Sequence, residues 1–177
     1  MPCFAVERTA LSALAVILGS LSIRWALIGA LAANRYRTAP RLTQDVDLLL
    51  ANPGPGLSAL IDALAGAGWR VRHRDAEGEL IRLTHDQLGN ADLLIAGTDY
   101  QQEALRRAAS ETMSDGQRFT VLTAEDVIIH KLIAGRSQDL ADIEAIVAAN
   151  VPLDEHYIDR WAQFWDVAGI WSSLRRH

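Results

Sequence analysis

Two aspartates, Asp45 and Asp47, flank Val46 where the chain enters the apolar run Leu48-Leu49-Leu50. On a strand, side chains at i and i+2 point to the same face. Two carboxylates held that close repel unless a cation sits between them or one is protonated. Hard oxygen ligands suit Mg²⁺, which takes one or two protein carboxylates and completes its shell with water and substrate phosphates. Upstream, the apolar run Trp25-Ala26-Leu27-Ile28 stops at Gly29, and small residues follow. A glycine between a strand and a helix lets backbone N–H groups come close to a phosphate. The pair of features predicts a nucleoside triphosphate site with bound Mg²⁺, or Mn²⁺ in its place. Taken singly, a D-x-D is commonly a solvated strand start, and a glycine before small residues serves helix–sheet packing. Their order, joined to a second pattern later in the chain, favours the chemistry.

That second pattern is Glu125-Asp126-Val-Ile-Ile-His-Lys131-Leu-Ile-Ala-Gly135-Arg136-Ser-Gln-Asp139-Leu-Ala-Asp142. Thr123 and the acids after it mark a helix start. Gly135 stops that helix, and Ser137 is expected to cap the next one. Lys131 falls in an otherwise apolar helix, where a lysine either snorkels to water or reaches a buried anion such as a nucleotide phosphate. Asp139 and Asp142 share a helix face at i and i+3. His130 has no partner histidine at metal-binding spacing and reads as a packing or surface residue.

Around these residues the elements fall into order. Val6 to about Leu18 is a helix, with Leu11, Leu14, Ala15 and Leu18 at helical spacing. Trp25–Leu50 is strand, turn, short helix with the basic patch Asn34-Arg35-Tyr36-Arg37, loop, strand. Leu57–Ala67 is a helix. Trp69–Arg74 and Glu79–Thr84 form a hairpin across an Asp75–Gly78 turn. Arg70, Arg72 and Arg74 are expected on one face, joined by Arg82. That row is the solvent face of an antiparallel pair, with a surface for triphosphate or an RNA acceptor as the alternative. Ala91–Ala96 is a buried strand bearing Asp92. Tyr100–Ala109 is a helix, Ser114-Asp-Gly116 a turn and Arg118–Leu122 a strand. Asp154 caps a last long helix ended by Gly169, whose tryptophans suit core packing, and a basic tail Arg175-Arg176-His177 closes the chain.

The stretch from Ile28 to Tyr36, followed by Arg41-Leu-Thr-Gln-Asp-Val-Asp47, resembles the first motif of the DNA polymerase β-like nucleotidyltransferase superfamily. The small bacterial and archaeal members, including AbiEii-type toxins, are the nearest in pattern. The Lys131–Asp142 pattern resembles their second motif. Together the likeness spans Trp25 to about Val147. Where the family has a second glycine or a serine, this chain has Ala30. The resemblance implies an α+β nucleotidyltransferase fold: a twisted mixed sheet, flanking helices and a C-terminal helical segment (about 123–177) on a core of about 1–122, all in one domain. It implies Asp45, Asp47 and Asp92 as metal ligands, with Asp92 as third ligand or general base. Lys131 would act in catalysis, and nucleotide contacts would come from Gly29, Ala30, Arg41, Thr43, Lys131, Arg136, Asp139 and Asp142. It implies transfer of a nucleoside monophosphate to tRNA, protein or a small molecule, and a toxin role with an antitoxin partner. A catalytically silent nucleotide-binding or protein-interaction module on the same fold is the alternative.

Composition sets the bounds. A chain of 177 residues, half of them hydrophobic, is long enough for one well-buried core. A single cysteine, Cys3, rules out an internal disulfide framework and fits a reducing cytoplasm. The apolar segment Thr9–Ala33 is broken by Ser12, Gly19, Ser20, Ser22 and Arg24 and reads as buried helix and strand, not a membrane span. The first charged residue, Glu7, is acidic, unlike the start of a signal peptide. A net charge of −5 argues against a general nucleic-acid coat and leans toward a cationic small substrate.

Overall fold

The computed structural model describes residues 3–43, 45–76, 78–112 and 118–175, with side chains from residue 10 onward. The expected Ser114–Gly116 turn lies outside the described residues, as do Glu77, Arg176, His177 and the side chains of Cys3 and Glu7.

Among the described residues, seven strands form one mixed sheet in the order β3-β4-β5-β2-β1-β7-β6. They are β1 (Trp25–Leu27), β2 (Asp45–Leu50), β3 (Arg70–Arg74), β4 (Leu80–His85), β5 (Gly89–Ile95), β6 (Ala109–Thr112) and β7 (Arg118–Val121). The helices are α1 (Cys3–Ser20), α2 (Gly29–Asn34), α3 (Leu57–Gly66), α4 (Asp99–Arg107), α5 (Ala124–Ala134), α6 (Ser137–Ala148), α7 (Glu155–Phe164) and α8 (Ala168–Leu174). The architecture is the α+β arrangement expected, a mixed sheet with flanking helices.

Period-two alternation sorts the central strands into two faces. Val46, Leu48 and Leu50 of β2, Ile81 and Leu83 of β4, and Ala91, Leu93 and Ile95 of β5 are buried. Helices α1 and α3 pack together on this side, and α1 also touches β2 and β5. The opposite face carries Asp45 and Asp47, then Asn90 and Asp92, then Arg82 and Thr84. Helix α2 packs on β2, and α5 packs against α2. Arg82 stays exposed, and Asn90, Asp92 and Thr84 are only half-buried. One apolar face and one partly open polar face give the sheet its site.

Four expectations need correction. The helix expected over Tyr100–Ala109 ends at Arg107, and Ala109–Thr112 forms β6, paired antiparallel to β7 at the sheet edge. Ser137 is the first residue of α6; the cap position is Arg136, without a side-chain cap. The last long helix is two: α7 ends at Phe164, Asp166 turns the chain at φ 57°, and Gly169 lies inside α8. Finally, the three arginines of β3 do not share a face. A register shift between Val71 and His73 pairs His73 with Arg82 but Arg74 with Ile81. Such a bulge inserts one residue and flips the residues beyond it to the other face. Arg72 therefore stays on the side of Arg82, while Arg74 goes to the other.

Candidate active site

Strand β1 runs antiparallel to β2, so its end at Leu27 meets the middle of β2 at Leu48. Gly29 sits immediately past that end at φ 67°, a left-handed conformation that favours glycine. It is also required by space: a Cβ built there would collide with the carboxylate of Asp47. The turn is tied to the strand by the Ile28 N–H donating to the Asp47 carbonyl at 2.9 Å. The glycine read from sequence as a phosphate cradle thus has a first duty, letting the main chain lie against Asp47.

Strand β5 pairs parallel with β2, placing Asp92 beside Asp47 and Asn90 beside Asp45. Neighbouring strands are about 4.8 Å apart, so three carboxylates share one patch of the open face. Asp45 is exposed and Asp47 and Asp92 are half-buried. No hydrogen bond or ion pair reaches the Asp47 carboxylate among the described residues. Burial, then the charges of Asp92 and Asp45, push its pKa up to about 6 against the pull of Lys131 and Arg136. Asp92 is raised too, mainly by burial, although Arg82 lies 3.4 Å away.

Behind these acids stands a second carboxylate group. Lys131, 4% exposed, donates to Asp139 Oδ1 at 3.1 Å and Asp142 Oδ2 at 2.6 Å. Asp142, 1% exposed, also receives Arg37 and a two-pronged contact from Arg41 at 2.9 and 3.0 Å. Arg136 holds Asp139 at 2.6 Å while its own side chain is 77% exposed. Burial would raise both acids, but these hydrogen bonds outweigh it and hold them below the usual carboxylate range. Asn34 steadies Arg41 from both sides, donating to its carbonyl at 2.8 Å and accepting its N–H at 3.0 Å.

A cavity of about 190 Å³ brings together Gly29, Asp47, Asp92, Lys131, Arg136 and Asp139, with Ile28, Leu80, Leu94, His130 and Ala134 completing its walls. Asp142 and Arg41 stand behind it. Ala30 is buried and Thr43 half-buried, and neither lines the cavity. The buried anion that Lys131 reaches is the Asp139–Asp142 pair. His130 behaves as a packing residue: its ring lies 5.4 Å from Tyr100, and burial lowers its pKa to about 4. Sequence reading missed Arg37 as a partner of Asp142; its place in the basic patch after α2 was the available signal. It also missed the buried hub at Asp126, which accepts from Tyr157 at 2.7 Å, Thr123 at 2.8 Å and Arg107 at 3.1 Å. That hub fastens α5 to α7 and to the end of α4. Of the two tryptophans expected in core packing, Trp161 is buried and Trp165 is half-buried against the core; Trp171 is buried as well.

The donor set fits a hard divalent cation: three carboxylates on one face, with Asp45 and Asp47 unpartnered among the described residues and Asp47 destabilised by burial and by its neighbours' charge. Among the described residues no three metal-type side chains converge closely enough to hold an ion alone. The acids form an open bracket, the type that phosphate oxygens and water complete.

No protein-family profile matches the chain, and neither does any curated protein sequence. Solved structures do match. The crystal structure of ANT(2")-Ia in complex with adenylyl-2"-tobramycin superposes with TM-score 0.63 at 14% identity, over 89% of this chain and 95% of that one. The lincosamide antibiotic adenylyltransferase LnuA, lincomycin-bound, gives TM-score 0.59 at 12% identity, over 80% of this chain and 97% of that one. The Megavirus polyadenylate synthase gives TM-score 0.54 at 13% identity, over 84% of this chain and 32% of that one. The chain therefore has the nucleotidyltransferase fold that these solved structures share. Among the described residues no helix is long and apolar enough to cross a membrane.

Proposed function

We propose that the protein is a nucleotidyltransferase, moving a nucleoside monophosphate from a triphosphate to an acceptor hydroxyl. One observation carries the reading: Asp47, unpartnered and raised toward neutrality, sits in register with Asp92 and at i+2 from Asp45 on the open sheet face. Pairs of acids that share a face at this cost in repulsion mark functional sites. The likeness in fold to adenylyltransferases and a polyadenylate synthase supports the same reaction class.

Asp45, Asp47 and Asp92 would hold Mg²⁺ or Mn²⁺, which supplies charge neutralisation at the triphosphate and lowers the pKa of a bound hydroxyl. Asp92, the least enclosed of the raised acids, takes the acceptor proton. The acceptor oxygen bonds to the α-phosphorus, the α–β bridging bond breaks, and pyrophosphate leaves with the electron pair. Arg136, with its exposed guanidinium at the cavity, offsets charge developing on the phosphates. Lys131 lines the same cavity and, through Asp139, fixes where Arg136 stands. The single cysteine suits a reducing cytoplasm as the working compartment.

The test is incubation with each α-labelled NTP, Mg²⁺ and cell extract, beside the Asp45→Asn variant. Label passing into a macromolecule or metabolite, and lost in the variant, is the expected result. No transfer with any NTP, or full transfer by the variant, would overturn the assignment.

A further inference from the structure

The open face continues past the carboxylates to the sheet edge. Reading across the strands, one row is Asp45, Asn90, Thr84 and Arg70, and the next is Asp47, Asp92, Arg82 and His73. The bulge in β3 places Arg72 as the extra residue beside the second row. Arg72 reaches over β4 to Asn90 on β5, with Nη1 3.3 Å from its Oδ1. Both Arg72 and Arg82 pull on the charge of Asp92. The acids are thus followed directly by two guanidiniums, on the side away from Lys131 and Arg136.

From this row we infer that the acceptor is a strand of nucleic acid. Its terminal hydroxyl lies at Asp92, and its adjoining phosphates lie on Arg82 and Arg72. The inference rests on the transferase reading above and adds the acceptor's class to it.

Three observations carry it. First, the two cations are available. Arg82 is 55% exposed and its contact with Asp92 is 3.4 Å, an open pair of the weak kind. Among the described residues, Arg72 holds only a neutral amide. Arg70, by contrast, is taken by Asp86 in a two-pronged contact, and Arg74 is turned to the other face. Second, the ledge has no wall. All five residues of β3 are exposed, and the strand is the edge of the sheet. From β5 to β3 is two strand spacings, about 10 Å. A shelf of that length, open at its end, suits an extended polyanion better than a small enclosed molecule. Third, the sign is wrong for a cationic acceptor, which would meet arginine where it needs acid. The chain's net charge of −5 makes this basic row a local exception, and guanidiniums favour phosphate through paired N–H donors. The whole-chain charge had leaned the other way, and the register of β3 decides against it.

The test is fluorescence anisotropy of the full chain with a labelled single-stranded RNA 12-mer bearing a free terminal hydroxyl, titrated at several salt concentrations without nucleotide or metal. The wild type is compared with Arg72→Ala/Arg82→Ala and with Arg24→Ala/Arg106→Ala, which removes equal charge from exposed sites elsewhere. The expected result is binding that weakens steeply with salt. The ledge variant loses about tenfold or more in affinity at low salt, and its salt slope falls by about 1.4, for two phosphate contacts at about 0.7 each. The control pair binds like the wild type. No binding by the wild type, or equal losses in the two double variants, would overturn the inference. Tight binding of ribose 5-phosphate with none of the 12-mer would replace the strand by a small phosphorylated acceptor and would also overturn it. The titration involves no transfer, so a chain that transfers label yet ignores the 12-mer refutes the acceptor class alone.

Discussion

The molecule holds two groups of aspartates a short way apart, and it treats them in opposite fashion. Asp139 and Asp142 on α6 are almost wholly buried and fully partnered: Lys131, Arg136, Arg37 and Arg41 all donate to them. Asp45, Asp47 and Asp92 on the sheet are more exposed and far less partnered. Burial and the charge of neighbouring acids push Asp47 and Asp92 upward, whereas hydrogen bonds pull Asp139 and Asp142 down. The helix pair is satisfied by the protein itself. The sheet acids lack such partners, which is what the proposed cation would supply. The same residue type therefore does two jobs, and partner count tells them apart: one set locks α6 to the link before β2, the other is kept available.

The comparison breaks most visibly at Asp142. An Asp142→Ala change leaves Arg37 and Arg41 without their carboxylate and Lys131 with one acid in place of two. Removing one member of a buried ion network costs about 3–5 kcal/mol. Urea unfolding at pH 7.5 should show that loss. A loss below ~1 kcal/mol would mean that Asp142 does not hold the site together.

The smaller effect has the opposite sign. The folded pKa of Asp47 is raised from the ordinary 3.8 to about 6. Its ionisation therefore costs stability. The cost is absent below about pH 4, grows as pH rises, and is complete above about pH 6. Asp47→Asn should stabilise the metal-free protein by at most ~3 kcal/mol at pH 7.5, from about 1.4 kcal/mol per pKa unit, with no gain at pH 4. Melting curves in a chelator across pH 4–8 measure it. A destabilised variant at pH 7.5 would show that Asp47 has a stabilising partner after all.

How much of this was legible beforehand depends on whether the signal was local. The β1–Gly29–α2 turn, the Asp45–Asp47 spacing, the Thr123 cap and the αL stop at Gly135 are written in neighbouring residues, and they came through. That Asp92 joins Asp45 and Asp47 came only through the family resemblance, and the parallel pairing that sets it beside Asp47 was not foreseen. What stayed hidden was non-local. The bulge at Arg72 exists only in the pairing of β3 with β4. Strand β6 has no apolar alternation in Ala109-Ser-Glu-Thr112 and owes its state to β7. Asp142 looks like an ordinary exposed acid one turn into a helix, until the fold brings Arg41 and Arg37 to it from a hundred residues away. The break between α7 and α8 falls at Asp166, where no glycine or proline announces it.

The central claim is that Asp45, Asp47 and Asp92 would hold a divalent cation when a triphosphate is bound. Electron paramagnetic resonance of Mn²⁺, titrated into the protein with a non-transferable α,β-methylene triphosphate, tests it without any acceptor. The account predicts that the wild type lowers the free Mn²⁺ signal further than the nucleotide alone does, and that Asp47→Asn adds nothing to the nucleotide's own uptake. Equal Mn²⁺ uptake by the two proteins would contradict it.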